Sequence, residues 1–318
     1  MISISISADK RRILYAVAAS ILLFILGEIA RPGFISAGSI ESILVISSFV
    51  GLVAAGQCFV ILIGGIDLSV PWVLNASAIL LTTTSLGHNA GVPEAVLVAL
   101  GMGIVVGAIN GGVISIFGVP AVVMTLAMNG IIEGLTLGLS GGLSCSSCSA
   151  YAPPLIQSLA HGHTIGIPNA LWLWVVVIVV VSFVLIFTRF GRQVYALGTN
   201  ARAAYLTGIN AQVMTILLYA LSGGFAALAG IVLVGFGGQA SLGMGNSYLF
   251  TSIAAVVVGG VNILGGRGNY LGAAAGAVSL TVLVSVLLAF QVPDYFRNIA
   301  YGVVILALLL AYGREKKE

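Results

Sequence analysis

The sequence predicts an all-α polytopic membrane protein of about ten transmembrane helices, on three grounds. Of its 318 residues, 59% are hydrophobic and only 7% charged, against about a quarter charged in soluble domains. So few charges cannot cover a water-soluble globule, which excludes soluble enzymes as a class. Ten apolar stretches approach the roughly 20 residues that cross about 30 Å of hydrocarbon. With ten spans the basic residues also sort by side. Lys10, Arg11, Arg12, Arg189, Arg192, Arg202, Arg267, Arg314, Lys316 and Lys317 fall in inner segments, and only Arg31 and Arg297 in outer ones. By the positive-inside rule both termini are then cytoplasmic. The net charge of +3 is small and dispersed, which speaks against a nucleic-acid partner.

In chain order, residues 13–30 make a first span behind a basic start. The same pattern reads alternatively as a signal peptide ending near Ala30, which leaves nine spans and the same charge asymmetry. Spans two and three, 42–63 and 70–86, flank Gly64, Gly65, Asp67, Ser69 and Pro71. An Asp-x-Ser-x-Pro run suits a helix start, with side-chain oxygens offered to free N–H groups and proline in the first turn. Asp67 is thus either a cap and hinge or a contact for solute or a cytoplasmic partner. The third and eighth spans, the latter at 248–264, are short and bounded by Gly or Pro, so they are expected to be broken or tilted.

The fourth span, 95–116, sets Gly103, Gly107 and Gly111 on one face, for packing inside the bundle or against another subunit. In the fifth, 121–139, Thr125, Asn129 and Glu133 recur at every fourth residue, with Thr136 beside them. Polar groups in a membrane helix face a bundle interior or an aqueous cavity. The stripe therefore lines a translocation path or bonds a neighbouring helix, and the isolated amides Gln57, Asn75 and Asn110 carry the same two readings. Glu28, Glu41, Glu94 and Asp294 lie at outer span ends with Arg31 and Arg297, as a docking rim or a solvated one.

The outer segment 140–170, rich in Ser, Gly, Pro and His, reads as a periplasmic loop. Cys145 and Cys148 within it form a disulfide in an oxidising compartment or stay as thiols. Together with His161 and His163 they do not match zinc-ligand spacing, so no metal site is expected. After the sixth span, 171–188, the inner segment 189–212 is polar and structured. Thr199 or Asn200 can cap a short helix, Ala201 to Leu206 are mostly good helix formers, and Gly208 suits a left-handed stop. Spans at 213–236, 270–290 and 296–312 complete the ten. The stretches Ile63–Leu68 and Val258–Ile263 are alike in residue type, which fits two related halves.

Gly191 to Asn200, then Ala203-Ala204 and Gly208-Ile209-Asn210, closely resemble the cytoplasmic loop of permease subunits from ribose-type ABC importers. Phe59 to Val70, with Gly-Gly-Ile-Asp-Leu-Ser, and Ile253 to Gly260 with Gly265-Gly266-Arg267-Gly268 resemble two further stretches of that family. It usually has Gly where Pro71 stands and often a basic residue at Glu133. The resemblance implies one single-domain permease, 1–318, of the type II importer kind in a bacterial inner membrane. It also implies a dimer of this or a related permease, ATP-binding cassettes beneath it and a periplasmic solute-binding protein above. Thr199, Asn200, Arg202, Ala203, Ala204, Leu206, Gly208 and Ile209 would couple it to the ATPase. No cofactor is expected in this chain. ATP and Mg belong to the partner, since Lys10, Lys316 and Lys317 are the only lysines and none follows a phosphate-binding glycine loop. The implied solute is a monosaccharide or similar polyol. The rivals are a branched-chain amino-acid permease of the same architecture and an ion-coupled secondary transporter with Asp67 or Glu133 as ion site.

Overall fold

The computed structural model describes residues 8–142 and 151–293, together with positions 296, 299, 302 and 303. In chain order the helices are α1 (Ala8–Ala30), α2 (Ala37–Leu62), α3 (Val70–Ser85), α4 (Val92–Phe117), α5 (Ala121–Ser140), α6 (Pro154–His161), α7 (Asn169–Phe187), α8 (Arg189–Thr199), α9 (Ala201–Leu206), α10 (Ala211–Gly237), α11 (Tyr248–Val258) and α12 (Tyr270–Ala289). A two-stranded ribbon, His163–Thr164 against Ile167–Pro168, interrupts the loop between α6 and α7.

Among the described residues, six helices, α2, α4, α5, α7, α10 and α12, are long and apolar enough to cross a membrane. α3 and α11, with 16 and 11 residues, reach about 24 and 16 Å at 1.5 Å per residue. Both fall short of the hydrocarbon thickness, as the Gly and Pro boundaries of the third and eighth spans suggest. The expected span 296–312 lies mostly outside the described residues, as do Cys145, Cys148, Asp294 and Arg297. α8 is an addition to the sequence expectation, which within the structured segment 189–212 places only the short helix near 200–207.

The loops segregate to two ends, as alternating spans require. At one end His163 meets Glu41, Leu155 N–H donates to Asn89 Oδ1 and Ala152 N–H to the Gly238 carbonyl. At the other, Gly266 N–H donates to the Leu62 carbonyl and Tyr195 Oη to the Gly268 carbonyl. Glu28 is bound by its own turn, accepting N–H bonds from Gly33 and Ile35 at 2.9 and 2.7 Å.

α2 runs through the centre, buried from Ser47 to Leu62. α10 packs along α4, and here Gly103, Gly107 and Gly111 find their use inside the chain. A Cβ on Gly103 or Gly107 would strike the carbonyl oxygens of Gly223 or Tyr219, and one on Gly111 the Ile216 Cα at 2.6 Å. Backbone thus meets backbone, the approach that small residues allow between membrane helices. α5 and α7 stand at the edge with Val122, Val123, Leu126, Val176, Val179 and Phe183 turned outward. In water such a surface would be a liability, but against lipid or a second apolar bundle it is expected.

The two breaks α2–α3 and α11–α12 share a construction. Gly64 N–H donates to Ile61 and Gly65 N–H to Val60; Gly260 N–H donates to Val257 and Val261 N–H to Val256. Gly64 (φ +78°) and Gly260 (φ +89°) take the left-handed position, so each helix ends in a Schellman turn. The turns are offset by one residue from the sequence match, which pairs Gly64 with Gly259. Asp67 and Asn262, which the match does pair, each accept the N–H two residues on, Ser69 and Leu264.

Candidate functional site

Asp67 is fully buried where α2 gives way to α3, and three donors converge on its carboxylate. Oδ1 accepts from Ser69 N–H at 3.0 Å and Ser69 Oγ at 2.6 Å, and Oδ2 from Ser222 Oγ of α10 at 2.7 Å. Gln57 of α2 clips the same residue's backbone, donating Nε2 to the Asp67 carbonyl at 2.5 Å and accepting Asp67 N–H at 3.3 Å. Asn110 of α4 donates Nδ2 to Ser69 Oγ at 3.0 Å, and Thr125 of α5 donates to the Ile66 carbonyl at 3.3 Å. Side chains of α2, α4, α5 and α10 thereby hold one non-helical turn. Non-helical backbone within a bundle persists only where its polar groups are satisfied or face water. Ser69 does not cap α3 through its side chain; its hydroxyl joins Asp67 to Asn110 instead. Pro71 occupies the first turn of α3, and its carbonyl presses on Gly245, which has no room for a Cβ.

The network is not saturated. Asn110 Oδ1 and the Tyr219 hydroxyl are buried without a hydrogen-bond partner, and Tyr219 Oη lies 2.5 Å from where a Cβ on Gly65 would stand. A buried polar group left unpaired costs about 1–3 kcal/mol unless water or a second conformation serves it.

The other path candidates sit apart from this turn. Asn75 on α3 is fully buried with neither amide atom partnered, and Asn129 on α5 is half-buried with Oδ1 unpartnered. α5 packs on α3 and α4, and its inward face carries Thr125, Asn129, Ile132, Glu133 and Thr136. Ile132 and Thr136, with Ile79 and Thr83 of α3 and Met102 of α4, line a cleft of about 380 Å³. The six candidates thus divide into Gln57, Asn110 and Thr125, bonded at the Asp67 turn, and Asn75, Asn129 and Glu133 on α3 and α5.

α9 projects from the end opposite the His163 ribbon. Asn200 caps it, accepting Ala203 N–H on Oδ1 at 3.0 Å, while Thr199 closes α8 and donates to its own helix at Tyr195 O. Gly208, at φ +85°, follows the helix in the left-handed conformation. Ala204 alone is buried; Ala201, Arg202 and Ala203 are exposed, and Tyr205 and Leu206 remain 71% and 80% exposed. Ile209 folds back against the core.

Sequence reasoning missed Ser222, Tyr219 and Tyr195. A lone serine or tyrosine in an apolar or amphipathic helix reveals which face it occupies but not what it meets. His161 and His163, grouped by spacing, separate: His161 Nε2 bonds the Phe236 carbonyl and His163 Nε2 bonds Glu41, both at 2.8 Å.

Residues 39–309 match the family described as branched-chain amino acid transport system / permease component. The ribose import permease protein RbsC of Haemophilus influenzae is 33% identical over 296 residues, 92% of this chain and 90% of that protein. RbsC of Escherichia coli is 33% identical over 300 residues, covering 94% and 93% of the two chains. The autoinducer 2 import system permease protein LsrC of Shigella flexneri is 32% identical over 308 residues, covering 96% and 88%. No solved structure matches the chain.

Proposed function

The chain belongs to the branched-chain amino acid transport system / permease component family and is a multi-pass inner-membrane transport component; on that premise we propose that it forms the translocation path of an ATP-driven importer for a monosaccharide or similar polyol. It pairs with a second copy or a related permease. Separate cassette subunits bind ATP and Mg²⁺, and a periplasmic binding protein delivers the solute.

The observation that carries the coupling half of this reading is α9. A capped helix of six residues that holds tyrosine and leucine 71% and 80% exposed is suited to a cleft in a partner, since exposed apolar side chains grouped together mark interaction sites. Relatives named for ribose and autoinducer 2 import support a hydroxylated solute. So do the unpartnered amide of Asn75 and the unpartnered Oδ1 of Asn129, which can exchange hydrogen bonds with water or hydroxyl groups as a solute passes. The family's description keeps the branched-chain amino-acid reading as the alternative. Ion coupling through Asp67 is disfavoured, because both its oxygens already accept donors from the protein.

Mild solubilisation of the tagged protein and mass spectrometry of what co-purifies tests the proposal. An ATP-binding cassette subunit is expected, and a second permease would appear in the same data. Reproducible recovery of this chain alone, even after cross-linking, would make the ion-coupled carrier the better account.

A further inference from the structure

No hydrogen bond joins α9 to the Asp67 turn among the described residues, so a partner's movement needs a route between them. α8 leads directly into α9, and its last turn rests on backbone. A Cβ on Gly198 would strike the Leu62 carbonyl oxygen and come within 2.7 Å of Gly266 N. The same Leu62 carbonyl accepts Gly266 N–H at 2.8 Å. From Gly265, a Cβ would stand 2.9 Å from Gly64 N and 3.1 Å from the Gly198 carbonyl oxygen, and from Gly266 one would stand 2.8 Å from Thr199 Oγ1. Three segments therefore meet at one point in close backbone contact, with only the Thr199 hydroxyl beside them: the end of α8, the end of α2 and the turn between α11 and α12. One turn back along α8, Tyr195 donates its hydroxyl to the Gly268 carbonyl at 2.7 Å.

Each segment leads to a break in a helix. Leu62 precedes the turn that holds Asp67, and Gly268 precedes Asn269, whose Oδ1 caps α12 by accepting Gly272 N–H at 2.7 Å. Side chains absorb displacement by changing rotamer, whereas close-packed backbone does not. We propose that this glycine junction, latched by Tyr195, delivers displacement of α9 to the α2–α3 and α11–α12 breaks together. Tyr195 is its positioning residue. The inference rests on the importer reading above, because it needs a partner that moves α9. It makes the Asp67 turn a driven element, and the unpaired Tyr219 hydroxyl and Asn110 Oδ1 beside it are the groups a second arrangement of that turn would serve. Two discrete packings linked by a rigid contact are how small shifts at one site become a switch at another.

Hydrogen–deuterium exchange on the complex of this chain with its cassette subunits, with and without ATP and orthovanadate, tests it. In the wild type, residues 62–70 and 259–270 should change exchange together on trapping, with residues 199–209 protected by the docked cassettes throughout. Tyr195→Phe should keep that protection and the ATPase rate while the response at both breaks falls roughly fivefold, the factor that one hydrogen bond of about 1 kcal/mol supports. Gly198→Ala should reduce it further where the protein still folds; Tyr195→Phe preserves the ring, so the test does not depend on it. An unchanged response at both breaks in Tyr195→Phe, or a loss at only one, overturns the junction's role. No protection of residues 199–209 in the wild type overturns the importer reading, and the junction's role with it.

Discussion

Removing the Asp67 carboxylate while keeping its volume, or removing both, separates a structural turn from an ion site. In Asp67→Ala, Ser69 N–H and the hydroxyls of Ser69 and Ser222 lose their acceptor, and both serines are only 1% exposed. Each stranded donor costs about 1–3 kcal/mol, and Asn110 donates to the Ser69 hydroxyl rather than accepting from it, so the three together cost about 6 kcal/mol. At about 2–4 °C per kcal/mol for a chain of this order, the melting temperature should fall by roughly 15 °C. In Asp67→Asn, Oδ1 still accepts from Ser69, and Ser222 can turn its hydroxyl to accept from the new amide. The loss should then be about 1 kcal/mol or less, a shift within about 3 °C. Size-exclusion of the detergent-solubilised protein after stepwise heating measures both. Asp67→Ala melting with the wild type, or Asp67→Asn falling as far as Asp67→Ala, would refute the network as the role of this residue. An ion site predicts a different pattern, with Asp67→Asn folded but unable to transport.

The glycine seam gives a position-specific expectation: Gly107→Ala should destabilise by about 1–3 kcal/mol, because its Cβ meets the Tyr219 carbonyl. Gly112→Ala, with nothing within 4 Å on the same helix, should stay within about 1 kcal/mol, and equal melting of the two would sink the close-approach argument. Ala203→Trp should fold normally yet lose the co-purifying cassette, whereas Ala204→Trp should lower the melting temperature itself, since Ala204 is buried; pull-down and thermal melting read the two apart. Glu41→Gln should shift stability by no more than about 1 kcal/mol, the usual worth of an exposed pair, since Glu41 and His163 are each nearly half exposed. A larger drop would give that contact a structural weight the geometry does not predict.

The short inner helix shows what local chemistry can reveal. Its cap, its helix formers and its stopping glycine lie within nine residues, and it forms where those signals stand, with Asn200 rather than Thr199 as the cap. The same holds for the shortened α3 and α11, whose Gly and Pro boundaries are visible in the chain. α8 was harder to see because its amphipathic pattern lies in a polar segment with no apolar run to mark it. The paired breaks were half legible: the residue match found Asp67 and Asn262, but the helix-ending glycines differ by one place, which only hydrogen bonding reveals.

The sequence by itself determined that this protein lives in a membrane, where most of its helices run, and which family it resembles. Hydrophobic length, capping and motif identity are properties of consecutive residues. Only the tertiary structure decided that Gln57, Asn110 and Thr125 gather at the Asp67 turn while Asn75 and Asn129 do not, and that Gly107 packs on α10. Helical period tells which face a residue occupies but not which helix faces it. Ser222 reaches Asp67 across 155 residues of chain, and that pairing is set by how the helices close-pack in three dimensions.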